Sequence, residues 1–214
     1  MYIPKHFKDH DLERQLGHIE HARLGTLVTS GEHGLQATPL PLLLRRDEGE
    51  FGTLYGHLAK GNPHWKDLAC ANEALVIFPG ADAYVSPAFY PAKAEHGKVV
   101  PTWNYVAVHV YGKAEVFSDS GRLLQLVSDL TDRHEAKRPQ PWAVSDAPAD
   151  YIDKMLGAIV GFALPIARLE GKRKLSQNRD ERDIDGVRKG LAASHDPLDQ
   201  HIARLMGDTE NPHA

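Results

Sequence analysis

The pattern of hydrophobic and polar positions is most informative between Lys98 and Gly112, in the segment KVVPTWNYVAVHVYG. Aliphatic and aromatic residues alternate there, so at the two-residue period of a strand one face is aliphatic and the other aromatic. A half-exposed strand would instead alternate apolar residues with charged ones. We therefore expect the aliphatic face to lie in a core, and the aromatic face to lie under a helix, a second subunit or a planar ligand.

The same periodicities predict the remaining elements. Helices with one apolar stripe are expected at residues 9–22, 118–134 and from about 149, and two short helices close the chain. Strands are expected at 23–30, 35–45, 50–57, 74–80, 83–86 and 160–170, with a tight turn from Gly31 to Gly34. Because prolines cannot donate to a ladder, the run Thr38-Pro39-Leu40-Pro41 predicts an edge strand or a strand that bends away from its neighbour.

Composition excludes several classes of protein. The net charge of −4 argues against a surface devoted to nucleic acid. No apolar run is long enough to span a bilayer, and the chain starts without an apolar secretion signal, so we predict a cytoplasmic protein without a membrane partner. The single cysteine, Cys70, excludes an internal disulfide, and we expect it to be buried in a helix.

Histidine is abundant, but its spacing does not predict a metal site. His18 and His21 lie three residues apart on a predicted helix, as metal ligands do, although no third ligand and no HExxH motif accompany them. We interpret them as surface residues and predict no metal.

The segment HLAKGNPHWKDLACAN, residues 57–72, carries the most distinctive chemistry. Asn62 followed by Pro63 is typical of a helix start, and His57 and Lys60 lie just before it. Backbone N–H groups at a helix start together with a lysine predict an anion site suited to a phosphate. The alternative interpretation is a surface lysine beside an ordinary helix cap.

Two other segments allow two interpretations each. Asn104, on the aliphatic side of the aromatic strand, is either a satisfied core amide or a group that contacts a ligand. The basic segment KRKLSQNRDERD, residues 172–183, is either a solvated loop or an element that reaches a phosphate or a polar heterocycle. Two short helices follow this segment. The second of them carries only Arg204 as a cation, which is too little positive charge to favour DNA reading.

Strands joined mainly by hairpins, with helices between and after them, predict a mainly β, α+β fold built on a small antiparallel barrel. We expect a single domain over residues 1–214, with a C-terminal helical extension at about 180–214. Regular alternation of strand and helix, which a doubly wound sheet requires, is not seen.

Six blocks of sequence resemble the successive motifs of the PaiB-type FMN-binding negative transcriptional regulators, in the order of that family. They are MYIPKHF, ATPLPLLL, HLAKGNPHWK, YVSPAFYPAK, VPTWNY followed by VAVHVYGKAE, and KLSQNRDERDIDGVRKGL. The chain departs from the family pattern at Pro39 and Phe89, where the family often has His and Trp.

The resemblance implies a split β-barrel related to pyridoxamine-phosphate-oxidase-like flavoproteins, working as a homodimer with FMN between the subunits. His57, Lys60 and Asn62 would contact the FMN phosphate, and backbone groups of Thr38, Leu40 and Leu42 would meet the edge of the ring. The remaining cofactor-binding residues that the resemblance implies are Ser86, Lys93, Trp103, Asn104, Tyr105, Gln177 and Asn178.

Three functions follow from the resemblance and the residues. The preferred hypothesis is a regulator that acts on transcription through DNA or a transcription partner. The second is an FMN-dependent oxidoreductase or flavin reductase, in which the cofactor does the chemistry, although no residue stands out as a general base or nucleophile. The third, suggested by the histidines, is a haem-binding split barrel.

Overall fold

The computed structural model describes residues 1–32 and 34–207 of the chain. In this part the strands are β1 Lys8–Asp9, β2 Gly25–Gly31, β3 Gly34–Leu40, β4 Leu43–Arg45, β5 Thr53–Ala59, β6 Ala74–Val85, β7 Thr102–Gly112, β8 Glu115–Phe117, β9 Ile159–Pro165 and β10 Arg168–Lys174. The α-helices are α1 Leu12–His21, α2 His64–Cys70, α3 Ala92–His96, α4 Ser120–Glu135, α5 Ala149–Leu156, α6 Glu181–Ala192 and α7 Pro197–Gly207. Short 3-10 turns cover Lys5–Phe7, Pro87–Phe89 and Val144–Asp146.

The chain clusters into two compact units, and each is described by itself. Unit 1 contains Met1–His18, Pro79–Val108 and the chain from Glu170 onward. Unit 2 contains Ile19–Phe78 and His109–Leu169.

Unit 2 contains two groups of antiparallel strands. In the first, β2 pairs with β3 on one side, with Leu27 opposite Thr38, and with the start of β6 on the other. In the second, the strand order is β4-β5-β9-β8, with His57 of β5 opposite Gly161 of β9. Helices α4 and α5 cover β9 with an apolar cluster that includes Leu123, Leu126 and Leu156.

The proline-rich run behaves as its sequence predicts. β3 is the edge strand of its group, and the chain leaves it at Pro41 to start β4 in the other group of strands. Leu42, at this bend, packs against two glycines whose missing side chains make room for it. A Cβ on Gly25 or on Gly56 would lie 2.8 Å from a methyl group of Leu42. The predicted single strand at 35–45 is therefore two strands, because the prolines interrupt the ladder.

Unit 1 contains the strand order β1-β10-β7-β6, with Lys8 opposite Lys172 in the first pair. Its core joins the C-terminal part of β6 to α6 and α7 through residues such as Val85, Leu191 and Ile202. Helices α6 and α7 occupy the region in which we predict a C-terminal extension, and the last part of that prediction, residues 208–214, lies outside the described residues.

Strand β7 shows the predicted alternation. Asn104, Val106, Val108 and Val110 are buried, whereas the aromatic face is only partly covered and Trp103 is 53% exposed. The aliphatic face therefore lies in a core as expected.

Three local predictions were wrong or fall outside the described residues. The predicted strand at 160–170 is two strands, β9 and β10, and the second continues into the start of the basic segment, for which a solvated loop was one of two interpretations. Cys70 is exposed, because it ends a helix whose buried face consists of His64 and Leu68. The predicted turn at Gly31 to Gly34 includes His33, which lies outside the described residues.

Candidate functional site

The predicted site residues divide between the two units. Unit 2 contains Thr38, Leu40, Leu42, His57, Lys60 and Asn62. Unit 1 contains Ser86, Lys93, Trp103, Asn104, Tyr105, Gln177 and Asn178. The structure brings several members of each group into direct contact with one another or with a shared neighbour.

The loop after β5 presents Lys60 at the surface of unit 2. The Lys60 N–H donates to the carbonyl oxygen of Ala158 at 2.9 Å, and its exposed ammonium donates to the carbonyl oxygen of Gly157 at 2.7 Å. The Trp65 indole N–H donates to the Lys60 carbonyl at 3.2 Å. The lysine is thus held at both ends of its backbone while its charge stays accessible.

Asn62 forms the bond expected of a helix N-cap. Its Oδ1 accepts from the His64 N–H at 3.1 Å, and its own N–H donates to the Ala59 carbonyl at 2.9 Å. Backbone N–H groups that we expected to meet a phosphate are therefore used inside the protein. The helix that follows has only two turns, so its dipole adds little. An anion here depends chiefly on the side chain of Lys60.

His64, which the sequence interpretation overlooked, lies at the centre of a hydrogen-bond network. It is fully buried, with Nδ1 2.7 Å from the Thr38 hydroxyl and Nε2 2.9 Å from the Thr29 hydroxyl. The Asn62 side-chain amide also donates to the Thr38 hydroxyl, at 3.4 Å. One signal could have identified His64: it lies four residues before the buried Leu68, on the same face of the helix.

His57 lies beside a groove in unit 2 of about 320 Å³. The groove is lined by Pro41, His57, Val127, Leu130, Thr131, His134, Glu135 and Trp142. Burial lowers the pKa of His57, so its imidazole is neutral at pH 7. Its buried Nδ1 has no hydrogen-bond partner among residues 1–32 and 34–207. His57 therefore offers a hydrogen bond and not a charge.

The backbone positions predicted to meet the flavin ring are ordered by packing. Leu40 ends the edge strand opposite Gly25, and both Leu40 and Leu42 bury their side chains. The Leu42 carbonyl accepts from the Arg133 guanidinium at 3.5 Å. This packing fixes the course of the backbone through the predicted ring edge.

In unit 1, Asn104 is a buried amide that forms a reciprocal pair with Ser176. Its Nδ2 donates to the serine hydroxyl at 3.0 Å, and the hydroxyl donates to Oδ1 at 3.2 Å. Ser176 has φ of 69°, in the left-handed region. Gln177 holds the same turn, since its side chain bonds the backbone of Leu175 and of Arg173. Of the two interpretations of Asn104, the geometry matches the satisfied core amide.

The aromatic residues of β7 lie at the surface of unit 1. Trp103 meets Tyr84 edge to face, with ring centroids 5.9 Å apart, and Tyr84 is 47% exposed. The ammonium of Lys172 lies 4.9 Å from the centre of the Tyr105 ring. The exposed pair Tyr84 and Trp103 forms an apolar patch of the kind that proteins use for contacts.

Lys174 is a second residue that sequence reasoning missed. Its ammonium donates to the Thr102 hydroxyl at 2.6 Å and to the Trp103 carbonyl. Burial lowers the pKa of Lys174, and the neighbouring cations Lys172 and Arg179 lower it further. The basic segment is therefore a local concentration of positive charge beside the aromatic patch.

The last three predicted residues are a capping serine and two exposed polar residues. Ser86 caps the 3-10 turn that follows β6, because its hydroxyl accepts from the Ala88 N–H at 3.2 Å. Lys93 lies exposed on α3, and Asn178 lies exposed in the turn after β10.

The donors present fit FMN in their chemistry. Lys60 supplies an accessible cation for the phosphate, Asn62 and Thr38 supply neutral polar groups, and the edge strand β3 supplies backbone groups for a heterocycle. FMN would contribute the redox chemistry of its ring when bound. No group of three or more potential metal ligands is found among the described residues. No helix in the same part of the chain is long and apolar enough to cross a membrane.

Comparison with known proteins agrees with this chemistry. The family model described as "Putative FMN-binding domain" matches residues 1–168. The chain is 33% identical over 208 residues to "Protease synthase and sporulation protein PAI 2" of Bacillus subtilis, a similarity that covers 97% of each chain.

Solved structures show the same fold at low sequence identity. The FAD and haem binding protein of Mycobacterium smegmatis has a TM-score of 0.59 and 20% identity, over 83% of this chain and 78% of that one. The flavocytochrome Anf3 of Azotobacter vinelandii has a TM-score of 0.59 and 18% identity, over 86% of this chain and 78% of that one. The predicted antiparallel split β-barrel with added helices is thereby confirmed. This chain belongs to the PaiB-type FMN-binding family, and FMN is its cofactor.

Proposed function

We propose that this protein is a cytoplasmic, homodimeric regulator of transcription whose activity depends on bound FMN. The observation that carries the proposal is the similarity to PAI 2 over 97% of both chains, which includes the C-terminal helices as well as the FMN-binding region. A regulator also needs no general base or nucleophile, and the residues described above work as positioning groups.

The FMN phosphate is proposed to bind at the loop after β5. Lys60 supplies the charge, while Asn62 and the neutral His57 supply hydrogen bonds. Backbone groups of Thr38, Leu40 and Leu42 are proposed to meet the ring edge, since this stretch includes the edge of β3. For unit 1 by itself, cofactor contact by Ser86, Lys93 and Asn178 stays a proposal, whereas Asn104 and Gln177, whose amides already bond within the chain, are proposed to order the turn after β10.

The homodimer is proposed to form through the exposed aromatic patch. Trp103 and Tyr84 are each about half exposed, and burial of such aromatic residues is a common source of affinity at interfaces. Tyr105, on the same face of β7, would extend the contact. A second copy of this chain is the occupant that we propose.

One purification tests the cofactor and the regulation together. The absorption spectrum and the mass of the heat-released compound identify the flavin. Fragments of the host genome are then captured on the immobilised FMN-loaded protein and sequenced, with FMN-stripped protein as the control. We expect one enriched class of fragments that depends on FMN. Absence of enrichment, together with rapid bleaching of the flavin by NADH or NADPH without oxygen, would instead support an oxidoreductase.

Haem binding is a second candidate, because one of the similar structures is an FAD and haem binding protein and the other is a flavocytochrome. The groove beside His57 and His134 is the place where an imidazole could meet such a ligand in unit 2. A Soret band that appears on addition of haem and is lost in His134→Ala would support this candidate. A band that is absent, or unchanged by His57→Ala and His134→Ala, would remove it.

A further inference from the structure

His64 is buried between two strands that are far from it in sequence. Its relative exposure is 0%, and its two ring nitrogens meet hydroxyl groups on β2 and β3 at 2.9 and 2.7 Å. Its backbone N–H donates to the side chain of Asn62 at 3.1 Å. One residue therefore contacts both Thr38 and Asn62, which we assign to opposite parts of the flavin site.

We propose that His64 is a positioning residue of the FMN site, holding Thr38 through its ring and Asn62 through its backbone. This inference rests on the proposed function, because it takes the roles of Thr38 and Asn62 in FMN binding as given. It adds a buried residue that would not touch the cofactor.

The hydrogen bonds around the His64 ring show which ring nitrogen donates and which accepts. A neutral imidazole has one donor and one acceptor nitrogen. Since the Asn62 amide donates to the Thr38 hydroxyl, the simplest arrangement has Thr38 donating to Nδ1 and the Nε2–H group donating to Thr29. Burial lowers the pKa of His64, and this effect exceeds the opposite influence of the Asp67 carboxylate, so the ring is neutral at pH 7. The Thr38 side chain is thereby tied to the imidazole, which holds in place the Thr38 backbone groups that we propose to meet the ring edge.

Packing alone does not call for a histidine at this position. Leu68, four residues later on the same face of the helix, fills its place with an apolar side chain, whereas His64 faces two hydroxyl groups, one of them on Thr29, which is 2% exposed. Burial of an imidazole gains little net stability, since its two hydrogen bonds mainly offset the loss of water. What the imidazole adds over a leucine is the orientation of two hydroxyl groups.

A matched pair of variants separates positioning from stability. In His64→Asn the amide occupies the place of Nδ1 and keeps the bond to Thr38. In His64→Gln the amide reaches the place of Nε2 and keeps the bond to Thr29. FMN affinity is measured by quenching of flavin fluorescence, and the melting temperature of the FMN-free protein is measured in parallel.

We expect His64→Asn, which leaves the buried Thr29 hydroxyl without its imidazole partner, to have the lower melting temperature but the higher FMN affinity of the two variants. His64→Asn should stay within about threefold of wild type, whereas His64→Gln should lose about tenfold, which is the effect of one hydrogen bond. Thr29→Val removes only the Nε2 bond and should behave as His64→Asn does. Equal FMN affinities in the two histidine variants, or affinities that simply follow their melting temperatures, would overturn the inference.

Variants of Thr38 keep the test decisive if a histidine variant does not fold, because Thr38 lies on an edge strand and is only half-buried. Thr38→Val should lose about as much FMN affinity as His64→Gln, and Thr38→Ser should keep it. Unchanged affinity in Thr38→Val contradicts the inference and leaves FMN binding intact. Failure of the wild-type protein to bind FMN would overturn both the proposed function and this inference.

Discussion

Replacement of Lys60 by alanine tests the phosphate assignment most directly. The ammonium lies exposed at the surface of unit 2 and already donates to the Gly157 carbonyl at 2.7 Å. Phosphate binding must therefore compete with an existing hydrogen bond. Lys60→Ala removes the cation without disturbing the core, and the backbone bond from Lys60 to Ala158 stays available.

The magnitude follows from two opposing contributions. A charged hydrogen bond contributes about 1.5 to 3 kcal/mol, and an ordinary one about 0.5 to 1.5 kcal/mol. If the bond to Gly157 is given up when phosphate binds, the net loss of affinity in the variant is about 1 to 2 kcal/mol. This corresponds to a rise in Kd of roughly 5- to 30-fold. The stability of the FMN-free protein should change by less than about 1 kcal/mol, because the lost bond is at the surface.

The assay compares FMN with riboflavin, which lacks the phosphate. Quenching of flavin fluorescence gives the Kd of each ligand for the FMN-free protein. Lys60→Ala should weaken FMN and leave riboflavin unchanged. Lys66→Ala is the matched control, because Lys66 is also exposed and its ammonium lies over the ring of Trp65 at 5.7 Å. An unchanged Kd for FMN, or an equal loss for riboflavin, would refute the phosphate assignment.

The remaining predictions concern the interface, the core and acid stability. Trp103→Ala should shift a dimer toward monomer in sedimentation velocity while monomer stability stays the same; an unchanged distribution would contradict the proposed interface. Asn104→Ala should lower the free energy of unfolding by about 1 to 3 kcal/mol in urea denaturation, because it leaves the buried Ser176 hydroxyl without a partner, and equal stability would show that water replaces the amide. Because burial lowers the pKa of His57, the unfolded chain binds the proton first as the pH falls below about 6.5. The contribution of His57 to the free energy of unfolding is therefore fully present above that pH. Below it the contribution is lost, by at most about 1.4 kcal/mol per pH unit. His57→Gln should flatten the decline between pH 7.5 and 5, and an unaltered slope would rule out this contribution.

Recognition of the family came from the sequence because its motifs are continuous stretches of residues. The block from Thr38 to Leu42 and the block from His57 to Asn62 each keep their chemistry within a few positions. The cofactor and the fold could both be predicted from these blocks. The single domain with a helical extension stays a prediction, and so do the roles of the individual site residues.

Sequence reasoning failed where a residue's environment is set by distant parts of the chain. Cysteine is a residue type that is usually buried, but only two positions of the short helix that contains Cys70 face the core. No sequence motif singles out His64, yet its ring bonds the side chains of residues 35 and 26 positions away. The hydropathy pattern contains no information on the hydroxyl partners Thr29 and Thr38, so it does not predict that a polar residue such as His64 is buried.

By itself, the sequence determined the local elements, since alternation, helical stripes and prolines act through neighbouring residues. The strand with an aliphatic and an aromatic face, the bend at Pro41 and the cap at Asn62 all belong to this class. Only the tertiary structure decided which polar groups meet: that Lys60 bonds Gly157, that Asn104 pairs with Ser176, and that His64 bridges Thr29 and Thr38. Such pairs depend on strand register and helix packing, which bring together residues with no relation in sequence.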